Sequence, residues 1–349
     1  MMSLVSVLAA LLPIAIYIYA VYKLDNFSLL SVKHLLMLVL CGMLTALVCF
    51  GIFWLTGKVM SERAADIFNP IVEEIFKAIP LLILARRKKI VFFIDSVICG
   101  AAVGGGFSIL ENVFYLVLGD TLGMGTLLFR GLEVALIHMG CSASIAVFCM
   151  FVVRLSERRK AKQTVGRSDV MMAVSLGIIS PVLHVLHNLL HFNPLTQFVI
   201  VLGAMAALLL WIYQYDEKMI HRWLDSGLDT LVNLLKWIKE GHLGETNTGR
   251  YLMSVKQSFP PEVFFDVICY VRLHVELSVA AKSRFMLREA ELDLPLNDAQ
   301  KETYLSQFTE FKTLEKRLGK SAMMIVSPIV NINPADRKSL DDLLAECRR

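Results

Sequence analysis

Long apolar stretches separated by short polar connections make up the first 215 residues of the chain. Each stretch is about 20 residues long, which is the length of an α-helix that crosses the hydrocarbon core of a bilayer. The pattern predicts seven spans, near residues 2–22, 33–55, 67–85, 91–118, 127–153, 171–191 and 195–215. We therefore expect an all-α, polytopic membrane helix bundle.

From residue 216 onward the apolar positions follow a different pattern. Between Trp223 and Ile238 they recur with the 3.6-residue period of an amphipathic helix. Three more helices are predicted, from Pro261 to about Leu292, from Asn297 or Asp298 to about Leu318, and from Pro334 onward, after a flexible connection from Gly241 to Gly249. The chain thus divides into a membrane domain, residues 1–215, and a small helical soluble domain, residues 216–349.

The distribution of charge supports this division and predicts an orientation. Of the 31 acidic residues, 20 lie from Asp216 onward, and the mean hydropathy of the chain is +0.60. The strongly basic connections, Arg86–Lys89 and Arg154–Arg167, are expected in the cytoplasm. Alternating spans then place the N-terminus outside and the soluble domain in the cytoplasm. Because the basic runs are short and flank apolar spans, the net charge of +4 predicts no nucleic-acid partner.

The third predicted span contains three charged residues, Glu73, Glu74 and Lys77. Ionisable groups inside a bilayer are costly, so they indicate a functional site unless they only pair to fix helix packing. Lys77 follows Glu73 by four positions and Glu74 by three, so it lies on their side of the helix. We expect Lys77 to pair with Glu73 and to leave Glu74 as the proton acceptor.

Polar residues recur in the next two spans. The fourth contains Glu111 and Asn112, after glycines at positions 100, 104, 105 and 106 that predict close helix packing. The fifth contains Arg130 and Glu133 near its outer boundary, and their i, i+3 spacing favours a pair between them. His138 lies deeper in the same span. A structural pair of Glu111 with Lys77 or Arg130 is the alternative to a functional role for Glu111.

The sixth span contains three histidines within eight residues. His184 and Asn188 share one face of the helix, and His187 and His191 share the next, so two registers of a functional pair are open. His191 lies at the membrane edge. We therefore prefer the pair of His184 and Asn188.

The depth of these residues suggests one shared site. Counted at about 1.5 Å per residue from the outer ends of the spans, the polar groups lie roughly 10 to 17 Å deep. They are Glu73, Glu74, Glu111, His138 and His184. Such groups suffice to hydrolyse a peptide bond, because a carboxylate can take a proton from water while histidine and asparagine N–H groups stabilise the oxyanion.

Four motifs in these spans resemble those of the PrsW-type intramembrane proteases, within the wider superfamily of CAAX-processing and bacteriocin-processing membrane proteases. They are Glu-Glu-x-x-Lys at Glu73, Glu74 and Lys77, Phe-x-x-x-Glu-Asn at Phe107, Glu111 and Asn112, the single His138, and His-x-x-x-Asn at His184 and Asn188. The resemblance implies a glutamic intramembrane endopeptidase of the bacterial inner membrane. It implies no cofactor, and it implies membrane-anchored substrates such as anti-sigma factors.

The resemblance also implies roles for individual residues. Catalytic roles are expected for Glu73, Glu74, Glu111, His138 and His184, and orienting or oxyanion-binding roles for Lys77, Asn112, His187 and Asn188. Residues 1–215 are then the catalytic domain, and residues 216–349 a cytoplasmic helical domain. Because the site is expected in the outer half of the bilayer, substrates are expected to be cut near the outer face.

Other functions remain open. Glutamate and histidine can hold zinc with one position free for water, so a zinc-dependent intramembrane protease is the alternative mechanism, although no His-Glu-x-x-His spacing occurs. Intramembrane glutamate and histidine also relay protons, so a proton-coupled transporter is the alternative from another functional class. Self-association of the chain is likewise open.

Overall fold

The structure is a computed structural model that describes residues 4–23, 32–87, 90, 93–118, 123–160, 166–190, 193–290, 292, 295–326, 329–330 and 334–348. All regular structure within these ranges is helical. The chain divides into two compact units, Met1–Asp216 and Glu217–Arg349.

The first unit is a helix bundle. Its elements are α1 (Leu4–Lys23), α2 (Val32–Thr56), α3 (Glu62–Arg86), α4 (Phe93–Leu118), α5 (Met124–Phe129), a π-helical turn (Arg130–Val134), α6 (Ala135–Lys160), α7 (Arg167–Leu189) and the beginning of α8 (Pro194–Lys239). Within the described ranges, six helical segments are long and apolar enough to cross a membrane: α1, α2, α4, the continuous segment from α5 through α6, α7 and the beginning of α8. The predicted polytopic all-α bundle is confirmed. The third predicted span is α3, which carries the three charges and is not among the six, so its crossing stays a prediction.

The inner helices of the bundle are α4 and α6. Helix α4 packs against α6, α2 and α1, and α6 packs in turn against α7 and α3. A Cβ atom on Gly104 would overlap the backbone of His138, and one on Gly100 would overlap the backbone of Ser142. The predicted small-residue face is therefore confirmed. It brings the backbone of α4 against α6 at the position of the buried histidine.

The second unit contains the remainder of α8, followed by α9 (Asn247–Val255), α10 (Pro261–Glu289), α11 (Asp298–Val326) and α12 (Pro334–Cys347). The prediction of a flexible connection up to Gly249 is wrong, because Thr246 accepts a hydrogen bond from the Gly249 amide and caps α9. The predicted end of the next-to-last helix near Leu318 corresponds to an interruption at Gly319, where φ is +66°, but helical structure resumes after it. Asn297 and Gln300 cap the start of α11 reciprocally.

Candidate functional site

The two adjacent glutamates of α3 have different environments. Lys77 donates from Nζ to Glu74 Oε1 at 3.0 Å, whereas its distance to Glu73 Oε2 is 3.7 Å. Lys77 thus forms ion pairs with both glutamates but a hydrogen bond with Glu74, so the expectation that Glu73 is its preferred partner is wrong. Spacing could not decide between them, because i+3 and i+4 neighbours lie on the same side of a helix. Contacts from α6 and α7 make the difference.

Glu74 is held on both carboxylate oxygens. Oε1 accepts from Lys77 and lies 2.9 Å from His184 Nδ1, while Oε2 lies 3.0 Å from Ser180 Oγ. The same Ser180 hydroxyl lies 2.9 Å from the Cys141 carbonyl oxygen, so its one proton serves either acceptor. The side chain of Glu74 is only 2% exposed. Its contacts join α3 to α7 and leave it little freedom to accept another proton donor.

His138 of α6 bonds through both ring nitrogens. Its Nε2 lies 2.6 Å from Glu111 Oε2, and its Nδ1 lies 2.8 Å from Lys77 Nζ. A carboxylate can only accept and an ammonium can only donate, so these partners assign the ring proton to Nε2. Phe107 covers this group, with its ring centroid 4.1 Å from Lys77 Nζ and 5.0 Å from the centroid of the His138 imidazole.

His184 of α7 is oriented in a similar way. Its Nδ1 donates to Glu74, which leaves Nε2 to face Glu73 Oε2 at 3.7 Å. The imidazole rings of His138 and His184 meet edge to face with centroids 4.9 Å apart. Each histidine therefore has one nitrogen bonded to a carboxylate and the other turned toward Glu73.

Glu73 is the carboxylate on which these groups converge. Its Oε2 is buried and has no hydrogen-bond partner among the described residues. The nearest polar atoms are Lys77 Nζ at 3.7 Å, His184 Nε2 at 3.7 Å and His138 Nδ1 at 3.8 Å. The side chain keeps 10% exposure, compared with 2% for Glu74. A buried acceptor without a hydrogen bond is costly, and the three nitrogen atoms around Glu73 Oε2 make it the position at which this cluster would accommodate a further group.

The same three residues could hold a metal ion. Glu73, His138 and His184 each offer a ligand atom, and these atoms lie within 4.8 Å of one another. The far nitrogen of each histidine bonds to a carboxylate, as is usual for histidines that ligate metals. The residues therefore fit a three-ligand site for a borderline-soft divalent ion. An ion held by all three donors would have to displace the ammonium of Lys77 from His138 Nδ1.

The expected pair of Arg130 and Glu133 does not form. Arg130 donates to Glu111 Oε1 at 3.0 Å, and Glu133 Oε1 lies 2.8 Å from His187 Nε2. Both residues belong to the π-helical turn. Residues three apart separate further around the axis there than in an α-helix, so they reach different neighbouring helices. Sequence spacing assumed an α-helix and favoured the wrong pair, whereas the alternative pair of Arg130 with Glu111 is the one that forms.

Other predicted site residues lie outside the central cluster. Asn112 donates to the Ala10 carbonyl oxygen at 3.0 Å, so it ties α4 to α1 rather than facing the glutamates. His187 and Asn188 contact each other at 3.3 Å beside Glu133. His191 lies outside the described residues, so the alternative pair with His187 stays untested. By contrast, Glu73, Glu74, Glu111, His138 and His184 do come together, as the depth argument predicted, while their catalytic roles stay predictions.

Ser180 was not predicted, although the sequence contained a signal for it. It precedes His184 by four positions, so the two side chains lie on one face of α7 and both contact Glu74. A serine in an apolar helix often hydrogen-bonds to the backbone of its own helix. The spacing alone therefore did not identify Ser180 as a site residue.

A comparison with known families decides what class of protein this cluster belongs to. The model of a family described as PrsW family intramembrane metalloprotease matches residues 31–213, which is more than half of the chain and includes every residue of the cluster. The chain belongs to the PrsW family. It is therefore an intramembrane protease, and the resemblance inferred from the four motifs is confirmed. Neither a curated protein nor a solved structure matches this PrsW-family chain.

Proposed function

We propose that this PrsW-family protease hydrolyses peptide bonds with a water molecule activated by Glu73. The observation that carries the proposal is the buried Oε2 of Glu73, which has no hydrogen-bond partner within the described part of the chain and faces nitrogen atoms from three side chains. Glu74, the base expected from spacing, already accepts from Lys77, His184 and Ser180. In this proposal Glu74 orients the site and Glu73 reacts.

The proposed reaction follows from the donors and acceptors at Glu73. A water held by Glu73 Oε2 and His184 Nε2 gives both of its protons to acceptors, so its oxygen lone pair is free to attack the substrate carbonyl. As the new C–O bond forms, one proton passes to Glu73. As the C–N bond breaks, that proton passes to the departing amine. We assign Lys77, whose Nζ lies 3.7 Å from Glu73 Oε2, as the donor to the developing oxyanion.

These roles differ from the ones expected for the histidines. The oxyanion role implied for His138 and His184 requires a free N–H, but each ring proton already serves a carboxylate. We assign His184 to the water instead, and His138 to the orientation of Lys77. Glu111 then positions His138 and does not touch the reacting atoms.

A second candidate is supported by the three-donor group and by the printed description of the matched family. In it, Glu73, His138 and His184 hold a divalent ion such as zinc, which would polarise the substrate carbonyl and acidify its bound water. Glu74 and Glu111 would orient the two histidines. Lys77 would keep its contact with Glu74.

We further propose that the substrates are single-span membrane proteins, with anti-sigma factors as the substrate class. The loop charges predict that the site lies in the outer half of the bilayer. A substrate would then be cut within or just outside the outer third of its span.

The test uses the purified full-length protein in vesicles with a single-span reporter that is tagged at both ends. We expect two fragments, and mass spectrometry should locate the cut toward the outer end of the reporter's span. The variant Glu73→Gln should not cleave the reporter. Glu62→Gln is its matched control, because Glu62 is an exposed acid in the first turn of the same helix, α3. Absence of cleavage by the wild type would refute the proposal, and a cut near the cytoplasmic end would refute the predicted orientation.

Metal removal separates the two candidate mechanisms. After treatment with a strong chelator, the glutamate mechanism predicts unchanged cleavage. The metal mechanism predicts loss of cleavage, recovery with added zinc, and about one bound ion per chain that His184→Ala releases. Metal content measured by mass spectrometry beside the activity identifies the correct candidate.

A further inference from the structure

The π-helical turn, Arg130–Val134, lies beside the proposed active site without contributing to it directly. Single π-turns inside longer helices often occur at functional sites. Here the turn divides a helical segment that is otherwise continuous from Met124 to Lys160. Its two charged residues reach opposite neighbours, because Arg130 contacts α4 and Glu133 contacts α7.

The contact with α4 leads directly to the cluster. Arg130 donates from Nη2 to Glu111 Oε1, and the other oxygen of Glu111 accepts the ring proton of His138. The guanidinium also lies 3.7 Å from the centroid of the Tyr115 ring, which limits its orientation. Arg130 therefore fixes a carboxylate whose only other hydrogen bond among the described residues is to His138.

We propose that Arg130 is a positioning residue that acts through Glu111 on His138. By holding Glu111 in place, Arg130 keeps the ring proton of His138 on Nε2 and keeps Nδ1 turned toward Lys77 and Glu73. The proposal rests on the proposed function of this site for its effect on turnover, but the hydrogen bond it describes exists independently of turnover. The π-turn is the local structure that lets Arg130 reach Glu111 instead of pairing with Glu133.

A double-mutant cycle tests whether Arg130 acts through Glu111. Arg130→Met should lower kcat roughly 10- to 100-fold with little change in KM. Losses of this size are typical when a residue that orients a functional side chain through a hydrogen bond is removed. The same change in a Glu111→Gln background should have almost no further effect, because the group that Arg130 positions is already altered. Arg63→Met, at an exposed arginine of α3, is the control. Independent, multiplicative losses in the double variant would overturn the proposal, as would a rise in KM alone.

A spectroscopic measurement tests the same claim without proteolysis. In protein labelled with ¹⁵N-histidine, the His138 Nε2 proton should give a downfield resonance that Glu111→Gln removes and Arg130→Met shifts or broadens. Arg130→Lys keeps the charge and should give an intermediate effect, and it serves as the second variant if Arg130→Met does not fold. An unchanged His138 resonance in folded Arg130→Met or Arg130→Lys protein would overturn the proposal. Absence of wild-type cleavage would instead refute the proposed function, while this resonance would still report on Arg130.

Discussion

The C-terminal unit and the membrane unit each bury a histidine and a lysine that pairs with a carboxylate. In the C-terminal unit, His274, Ser278 and Lys282 lie at i, i+4 and i+8 on one helix, α10, and Lys282 pairs with Asp336 at 3.2 Å. Burial lowers the pKa of His274 to about 4. Its Nδ1 and the Ser278 hydroxyl have no hydrogen-bond partner among the residues that the structure describes.

In the membrane unit the buried groups come from four helices and form a connected network. Arg130, Glu111, His138, Lys77 and Glu74 are linked in sequence by hydrogen bonds of 2.6 to 3.0 Å. Among the unsatisfied buried atoms of this unit, which include Arg130 Nε, Glu73 Oε2 is the carboxylate oxygen that faces nitrogen atoms of three side chains. The unsatisfied atoms of His274 and Ser278 lie on one helix. Under the proposed function, burial of charge does not by itself distinguish the active site. The distinguishing feature is the convergence of side chains from several helices on one acceptor, Glu73 Oε2.

Replacing the buried lysine of each unit should give the largest contrast in cleavage activity between the two units. Lys77→Met leaves Glu74 and Glu73 without their cation, so it should destabilise the folded protein by about 3–5 kcal/mol and abolish cleavage. Lys282→Met should also destabilise, since it removes the ion pair with Asp336, but cleavage per folded molecule should be unchanged. Unfolding in denaturant and reporter cleavage, measured on both full-length variants, check this. Loss of specific activity in Lys282→Met would contradict the distinction between the two regions.

The next largest contrast should be between the effects on kcat of replacing the buried histidines of the two units. His184→Gln should lower kcat by about 10²- to 10⁴-fold, the range for loss of a group that assists proton transfer. His274→Gln should leave kcat unchanged, and His191→Ala should be nearly silent because it is predicted at the membrane edge. Steady-state cleavage of the reporter measures all three. An inactive His191→Ala beside an active His184→Ala would show that the other histidine register is the functional one.

A glycine substitution tests whether the network depends on close helix packing. Gly104→Ala adds a methyl group against the His138 backbone, so it should displace α6 from α4 and cost about 1–3 kcal/mol of stability. A shift of this kind should also lower kcat by up to roughly 100-fold. Gly203→Ala is the matched control in α8, because no described atom beyond the local backbone of its own helix lies within 4 Å of the added Cβ. Equal activity in the two variants would show that the α4–α6 contact does not position the site.

The smallest expected effect is a pH dependence confined to the C-terminal unit. Unfolded His274 binds a proton near pH 6.5, whereas the folded residue binds one only near pH 4, so stability falls as pH is lowered between these values. The slope is at most about 1.4 kcal/mol per pH unit. Hydrogen exchange of α10 in the full-length protein, corrected for intrinsic rates, should show this decline. His274→Gln should flatten it, and His242→Gln, at an exposed histidine, should not.

Much of this structure was predictable from local pattern. The lengths of the apolar stretches predicted the helices that are long and apolar enough to cross a membrane. The glycines of α4 predicted its close contact with α6. Counting depth along successive spans brought Glu73, Glu111, His138 and His184 together, because helix rise is nearly constant.

Partner assignments within the site were less predictable. In the π-turn, Arg130 and Glu133 contact different helices, α4 and α7. No local sequence pattern predicts such a turn. The choice between Glu73 and Glu74 depends on Ser180 and His184, which are more than 100 positions away in the chain. Spacing along one helix carries no information about contacts of that kind.

A paired substitution of the two glutamates tests the central claim most directly. Glu73→Gln should lower kcat by at least about 10³-fold. The free energy of unfolding should stay close to that of the wild type, because Glu73 Oε2 has no hydrogen bond to lose in the described structure and Lys77 keeps its hydrogen bond to Glu74. Glu74→Gln should also impair cleavage but should destabilise the protein, because it disrupts the contacts with Lys77, His184 and Ser180. Kinetics and denaturant unfolding of both variants give the answer. A Glu73→Gln protein that cleaves at the wild-type rate, or a Glu74→Gln protein that is inactive at full stability, would contradict the assignment of Glu73 as the reacting carboxylate.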